Sequence, residues 1–274
     1  MEIQGKRILV TGASSGIGAQ LAPQLAARGA TVGIVARRAD RLGEVLAACR
    51  EHSPESVMWA VDLGDLDAAE QVVEDAWAAF GGLDCLVNNA AMGKRKYVLD
   101  QTTEEIETVM RLNFLSPIRM GQVAAKKMRE RGSGLIVNVS STGGRLGISH
   151  EASYCASKFA MSGWSEVMYM DLQGTGVDVK LVLPGPIKTE IWEVQPGELP
   201  GMYDGPWVTA EDCAADIVEA IAGDGFEYYV PEEVFEGFNQ KDLIVGKSAD
   251  VDGFLAGMAA MGRDVVDKAA KGGQ

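Results

Sequence analysis

Short apolar runs alternate with longer amphipathic stretches from the first residues of the chain. Arg7-Ile8-Leu9-Val10-Thr11 predicts a strand, which a glycine-rich turn follows. Ile17 to Arg28 predicts a helix, and Gly29 ends it, since the position just past a helix favours glycine. Further strands are predicted at Thr31 to Ala36, Ser56 to Val61, Leu83 to Asn88, Leu135 to Ser140, Val177 to Leu183 and Phe226 to Val230. Between them the spacing predicts helices over Ala39 to His52, Leu66 to Phe80, Thr102 to Arg131, Ala152 to Gln173 and Ala210 to Ala222. The long 102–131 stretch opens on Thr102-Thr103-Glu104-Glu105, which has capping-box character. Continuous apolar strands separated by helices predict an α/β fold: about seven parallel strands, helices on both faces, right-handed crossovers.

Two segments leave this rhythm. Residues 188–208 hold Trp192, Pro196, Gly197, Pro200, Gly201, Gly205, Pro206 and Trp207. They are too irregular for a core element and too apolar for a plain linker, so they read as a loop over a substrate site. Residues 231–274 show no strand pattern and predict a C-terminal helical extension with a polar Lys271-Gly272-Gly273-Gln274 end. Apolar spacing at Val251, Phe254, Leu255, Met258 and Met261 suggests that the extension packs at a subunit interface or over the pocket. With no repeat and no compositional boundary, residues 1–274 read as one domain.

Composition narrows the function classes. Twenty-five basic against 39 acidic residues give a formal charge of −14, which argues against nucleic acid or an anionic membrane as partner. No stretch approaches the ~18 consecutive apolar residues of a membrane helix, and the opening Met1 to Arg7 lacks a signal-peptide pattern. Cys49, Cys85, Cys155 and Cys213 follow no metal-ligand spacing, so no metal is expected, and a reduced, cytoplasmic setting is. Cys155 reads as a small buried residue rather than a redox group.

The candidate chemistry begins at Thr11-Gly12-Ala13-Ser14-Ser15-Gly16-Ile17-Gly18, which follows a strand and opens a helix. Glycines let the backbone turn tightly and approach a pyrophosphate, and the helix N-terminus offers N–H groups and a positive dipole end. Tyr154 and Lys158, four apart, share one helix face. Ser141 ends a strand, where ligands sit in open α/β sheets; it is favoured over Ser140 and Ser153 by spacing. A tyrosine of ordinary pKa near ~10 is a poor base at neutral pH, and a neighbouring ammonium is expected to lower that value. Tyr154 then suits a general acid in reduction or a base in oxidation, with the Ser141 hydroxyl stabilising the substrate oxygen. Asn113 lies mid-helix, a poor place for asparagine, and invites a local reason.

Across residues 5–230 these motifs resemble the short-chain dehydrogenase/reductase family, in its branch of one Rossmann domain per subunit. The resemblance implies a doubly wound Rossmann-type sheet and a nicotinamide dinucleotide site. Its cradle would comprise Gly12, Ser14, Ser15, Gly16, Ile17 and Gly18, with Asp62 and Leu63 near the adenine. Asn89 and Ala90 belong to Asn88-Asn89-Ala90-Ala91, where Ala91 replaces the family's usual glycine. Pro184, Gly185, Ile187 and Thr189 match the segment that meets the carboxamide. Catalysis would fall to Asn113, Ser141, Tyr154 and Lys158, with Lys158 also holding the ribose and the Asn113 carbonyl holding a relay water.

Members that prefer NAD place an acid at the end of the second strand; here Ala36 stands there, followed by Arg37-Arg38. Guanidinium suits phosphate, so NADP(H) is expected over NAD(H), with Arg37 as main contact and Arg38 as second. Met92, Gly93, Leu146, Gly147, Ile148, Ile191, Trp192 and Met202 predict a mostly apolar pocket for a carbonyl or alcohol. Lys94-Arg95-Lys96 reads as a solvated basic face, or as a greeting for an anionic substrate. The expectation is an NADP(H)-dependent oxidoreductase acting on a small molecule, assembled as a homodimer or homotetramer. The alternatives are an isomerase or dehydratase of the family's longer branch and a non-catalytic NADP(H)-binding regulatory protein. The mark of the latter, loss of the tyrosine or lysine, is missing.

Overall fold

Seven apolar runs become one parallel sheet in the computed structural model, which describes residues 1–272. The strands are β1 (Arg7–Thr11), β2 (Thr31–Ala36), β3 (Val57–Ala60), β4 (Cys85–Asn88), β5 (Gly134–Val139), β6 (Val177–Pro184) and β7 (Glu227–Val230). Their order is β3-β2-β1-β4-β5-β6-β7, and every adjacent pair is parallel. The helices are α1 (Gly16–Ala27), α2 (Ala39–Arg50), α3 (Leu66–Phe80), α4 (Thr103–Met110), α5 (Ser116–Arg131), α6 (Ala152–Asp171), α7 (Ala210–Ala222), α8 (Gln240–Ala249) and α9 (Val251–Gly272). One core layer joins α1, α2 and α7 to the sheet; a second joins α3 and α5, with Met168 of α6 packed against it. The strand order switches side at β1, with β2 and β3 to one side and β4 onward to the other, which opens a crevice at the carboxyl ends of β1 and β4.

The predicted helix over 102–131 is divided. Thr102 and Glu105 form both bonds of a capping box at the start of α4. A π-turn at Arg111–Leu115 then separates α4 from α5. The α ladder breaks there at a proline, and a side chain of the turn finds its partner outside the helix. The Asn113 side chain accepts from Met92 N and donates to Met92 O, both at 2.9 Å. Pro117, four residues on, has no N–H to give the Asn113 carbonyl.

The extension departs from expectation in a short antiparallel pair, Glu233–Phe235 with Phe238–Asn239. In α9, Val251, Leu255 and Met261 are exposed, while Gly262 is buried; a Cβ there would stand 2.6 Å from Ser149 Oγ. The helix therefore lies against the segment between Ser141 and Tyr154. The last two residues of the predicted polar end, Gly273 and Gln274, lie outside the described residues.

Lys180 is the buried charge in β6, where Asp178 faces solvent, and it is 1% exposed. Its ammonium donates to Ala220 O at 2.8 Å and Ile221 O at 3.1 Å, and also to Gly223 O. These carbonyls end α7, where the helix leaves them without partners and its dipole favours a cation. Burial holds the Lys180 pKa below its ordinary value. Lys180→Met is expected to lower stability by about 1–3 kcal/mol, because it strands buried carbonyls; urea denaturation followed by circular dichroism measures the loss.

Candidate active site

The glycine turn is shaped by close backbone approach. Gly12 has φ +69, and a Cβ on it would lie 2.7 Å from Ala90 Cα. A Cβ on Gly18 would lie 2.5 Å from Gly12 O, so both positions require glycine. Gly16 faces Thr189, whose Cγ2 would lie 3.1 Å from an added Cβ. Thr11 Oγ1 accepts from Asn89 N at 2.9 Å and Ala90 N at 3.0 Å, and Asn89 Nδ2 donates to Thr11 O at 2.8 Å. Ile17 packs into the core. The Ser15 side chain at the start of α1 makes no bond to the helix N–H groups, and no acid sits in the first turn, so those N–H groups are left to meet an anion.

Beside this turn lies a cluster of donors. Arg38 Nε and Nη2 both reach Ser14 Oγ at 3.2 Å, and Nη2 reaches Ser15 Oγ at 2.7 Å. Arg38 Nη1 pairs with Glu190 at 2.9 Å, and Arg41 pairs with the same carboxylate. Arg37 is exposed and makes no side-chain hydrogen bond among the described residues, so the guanidinium seated on the turn is that of Arg38. Asp62 accepts from Gly64 N at 2.9 Å, and the Leu63 side chain is buried in the core. Uncapped helix N–H groups, hydroxyls and a guanidinium fit a dinucleotide carrying several phosphates.

Three candidate residues meet around Gly143. A Cβ there would stand 3.4 Å from Ser141 Oγ, 3.4 Å from Tyr154 Cε1 and 3.3 Å from Ile148 Cδ1, so the missing side chain keeps their shared space open. Gly143 N donates to Ser141 Oγ at 3.0 Å. Ser140 instead points into α6 and bonds Lys158 O and Ser162. Asn113 Nδ2 donates to Ser157 Oγ, which donates to Tyr154 O at 2.7 Å. Lys158 Nζ donates to Val139 O at 2.9 Å and lies 5.8 Å from the centre of the Tyr154 ring.

The electrostatics correct one expectation. Burial raises the Tyr154 pKa and outweighs the lowering by the Ser141 hydroxyl, so the phenol is protonated at neutral pH. The Lys158 ammonium is turned toward Val139 O and is itself pushed down to about 8 by burial. Cys155 accepts from Ile148 N at 3.4 Å, and burial drives its thiol up to about 12, so it is inert packing.

The loop over 188–208 is closed at its base by a parallel pairing of Ile187–Lys188 with Val208–Thr209. Arg95 holds it from beneath. This residue is 3% exposed, pairs with Glu151 at 3.0 Å, donates to Ile191 O at 2.5 Å and stacks 5.0 Å from the centre of the Trp192 ring. Lys94 pairs with Glu105 and Glu198, and Lys96 with Glu105. The solvated basic face expected at 94–96 is thus replaced by a paired network, because the fold brings acids to it from the start of α4, from the turn before α6 and from the 188–208 loop. Trp192 Nε1 donates to Ile187 O at 2.8 Å, and its ring meets Trp207 edge-on. Leu146 and Met202 are buried.

One residue carries no sequence signal. Gln240, at the start of α8, is 1% exposed, and its Oε1 accepts from Thr142 Oγ1 at 2.5 Å. Thr142 Oγ1 is also 3.0 Å from Pro184 O, and Gln240 Nε2 donates to Pro231 O. The extension therefore braces the turn after Ser141 against the end of β6. A single glutamine in an amphipathic tail has no periodicity that would mark this contact.

Comparison with known proteins agrees with the geometry. A family model described as short chain dehydrogenase matches residues 6–198. The Hydroxysteroid 11-beta-dehydrogenase 1-like protein A of Xenopus laevis is 35% identical over 237 residues, covering 84% of this chain and 79% of that protein. A fatty acyl-CoA reductase of Mycobacterium tuberculosis is 34% identical over 228 residues, covering 80% of this chain and 74% of that one. The crystal structure of a short chain dehydrogenase from Burkholderia cenocepacia in complex with NADP superposes with a TM-score of 0.78 at 26% identity, covering 94% of this chain and 99% of that one.

The lowered Lys158 pKa has a consequence for stability. Its folded value of about 8 lies below the unfolded value of about 10.4. Between the two, the unfolded chain holds a proton that the folded chain does not. This group therefore adds stability as pH rises through that window, and the gain is lost as pH falls through 8. Lys158→Met is expected to abolish this slope. At neutral pH it should raise stability by about 1–2 kcal/mol, once the lost bond to Val139 is set against the relieved desolvation. Thermal melts of both proteins across the neutral to alkaline range measure it.

Proposed function

The chain belongs to the short-chain dehydrogenase/reductase family, and from that premise we propose that it transfers a hydride between NADP(H) and the carbonyl or secondary alcohol of a mostly apolar substrate. It is an oxidoreductase acting on CH–OH or C=O groups with a nicotinamide nucleotide. The observation that carries the finer reading is the convergence of Ser141 and Tyr154 on the space at Gly143, next to the phosphate-type cradle.

The bound nicotinamide supplies or accepts the hydride. In the reductive direction the Tyr154 phenol, kept protonated by burial, gives its proton to the forming alkoxide. Ser141 Oγ takes the Gly143 N–H, which leaves the serine proton free for the same substrate oxygen. Lys158 offsets the charge of the resulting phenolate and holds the ribose. Asn113, opposite a proline that cannot bond its carbonyl, offers that carbonyl to a relay water. Asp62, Leu63, Asn89, Ala90, Pro184, Gly185, Ile187 and Thr189 complete the cofactor site in this reading.

NADP(H) is favoured over NAD(H) because Ala36 supplies no acid and Arg38 rests on Ser14 and Ser15. The relatives' names point to steroids and fatty acyl groups, and Met92, Leu146, Ile148 and Trp192 offer an apolar lining to either. Residues 1–274 act as one domain, with 188–208 as the substrate loop and 231–274 as the extension. The protein works as a homodimer or homotetramer, and four free, buried cysteines are in keeping with the reducing cytoplasm. Among the described residues no helix is long and apolar enough to cross a membrane.

Tyr154→Phe is expected to lower turnover by about 10²–10⁴-fold while leaving NADPH binding nearly intact. A panel of steroid ketones and long-chain acyl carbonyls, followed by NADPH absorbance, measures the first, and calorimetry the second. Turnover retained in the variant overturns the mechanism.

A further inference from the structure

We propose that Glu190 is a specificity-determining residue for the cofactor: its carboxylate occupies the Arg38–Arg41 pair as an internal anion, and the 2′-phosphate of the cofactor takes its place. This rests on the NADP(H) reading above and adds to it a residue on the substrate loop.

Glu190 opens a short 3-10 turn, Glu190–Trp192, at the start of that loop. From there it reaches across the crevice to the start of α2. One carboxylate oxygen lies 2.9 Å from Arg38 Nη1, and the other pairs with Arg41. The remaining donors of Arg38 rest on Ser14 and Ser15. Two guanidinium groups thus hold a single carboxylate just past the end of β2, with the Ser14 and Ser15 hydroxyls bonded to one of them. The other acids bearing on Arg41, Asp40 and Glu193, act only as charges and not as hydrogen-bond partners.

Such a donor set is not particular to a carboxylate. A phosphate monoester carries about −1.5 to −2 charges at neutral pH and three acceptor oxygens, against one charge and two oxygens for Glu190. It therefore outcompetes the side chain for the same guanidinium groups, whereas the uncharged 2′-hydroxyl of NAD(H) does not. Displacement also has a mechanical consequence. The loop is tied to the body by Glu190 at one point and by Arg95, through Ile191 O and the Trp192 ring, at the next. Release of the first tie leaves the second as a pivot, with Trp192 two residues from the released carboxylate.

The test uses the full chain and two adenosine probes that lack the nicotinamide: 2′,5′-ADP, which carries the 2′-phosphate, and 5′-ADP, which does not. Calorimetry gives affinities, and tryptophan emission reports the loop, with Trp192→Phe assigning the signal. The wild type is expected to bind 2′,5′-ADP more tightly and to change its emission only with that probe. Glu190→Gln is expected to bind 2′,5′-ADP about fivefold tighter, in keeping with the modest strength of half-exposed ion pairs. Its affinity for 5′-ADP should be unchanged, and its free emission should already resemble that of the wild type with 2′,5′-ADP. If the wild type prefers 2′,5′-ADP but Glu190→Gln leaves both affinity and emission unchanged, or weakens binding, the NADP(H) reading stands and the role of Glu190 is overturned. If the wild type binds both probes alike, both fall.

Discussion

Thr11 ends β1 at the point where the strand order switches side, and parallel strands leave backbone groups without ladder partners at that edge. Its hydroxyl collects three of them: Val87 O at 3.2 Å, Asn89 N at 2.9 Å and Ala90 N at 3.0 Å. The Asn89 amide returns the bond to Thr11 O. This stitch fixes the ends of β1 and β4 so closely that no side chain fits at Gly12. The glycine turn, the uncapped start of α1 and the seat of Arg38 all take their positions from it. The crevice exists because these two strand ends are bound to each other and the chain then leaves them in opposite directions.

Three cations are buried among the described residues, and each is satisfied differently. Lys180 closes the end of α7 and has no part in the crevice. Arg95 is neutralised by Glu151 and spends its other donors on the substrate loop. Lys158 has only a carbonyl, Val139 O, and its pKa falls accordingly. An under-satisfied cation in a polar crevice is destabilising on its own and is kept where chemistry needs a charge. The contrast separates Lys158 from Lys180 and Arg95 more sharply than residue type does.

The segments around the turn after Ser141 arrive late in the chain. The loop over 188–208 is pinned by Arg95, and α9 rests on Ser149 and His150. Gln240 reaches under Thr142 from the start of α8. The extension thus braces the turn that carries Ser141 and lies along the segment that follows it. In a chain of net charge −14, each base at 94–96 has an acid partner, so no free cationic patch greets an approaching anion there.

Periodicity and turn chemistry in the sequence determined the seven strands, their parallel pairing and the helices between them. Both α3 and α7 begin and end where the apolar spacing and caps place them. The glycine turn and the Ser141, Tyr154 and Lys158 spacing were legible for the same reason: local geometry and i,i+4 facing are properties of the chain itself. Long-range burial and pairing are not. Only the tertiary structure decided that Arg38 rather than Arg37 sits on the turn. It also decided that 94–96 is neutralised, that the Asn113 side chain binds Met92, and that burial raises the Tyr154 phenol. Each depends on a partner that the fold brings in from nine or more positions away or on the summed exclusion of water, and neither leaves a trace in local spacing.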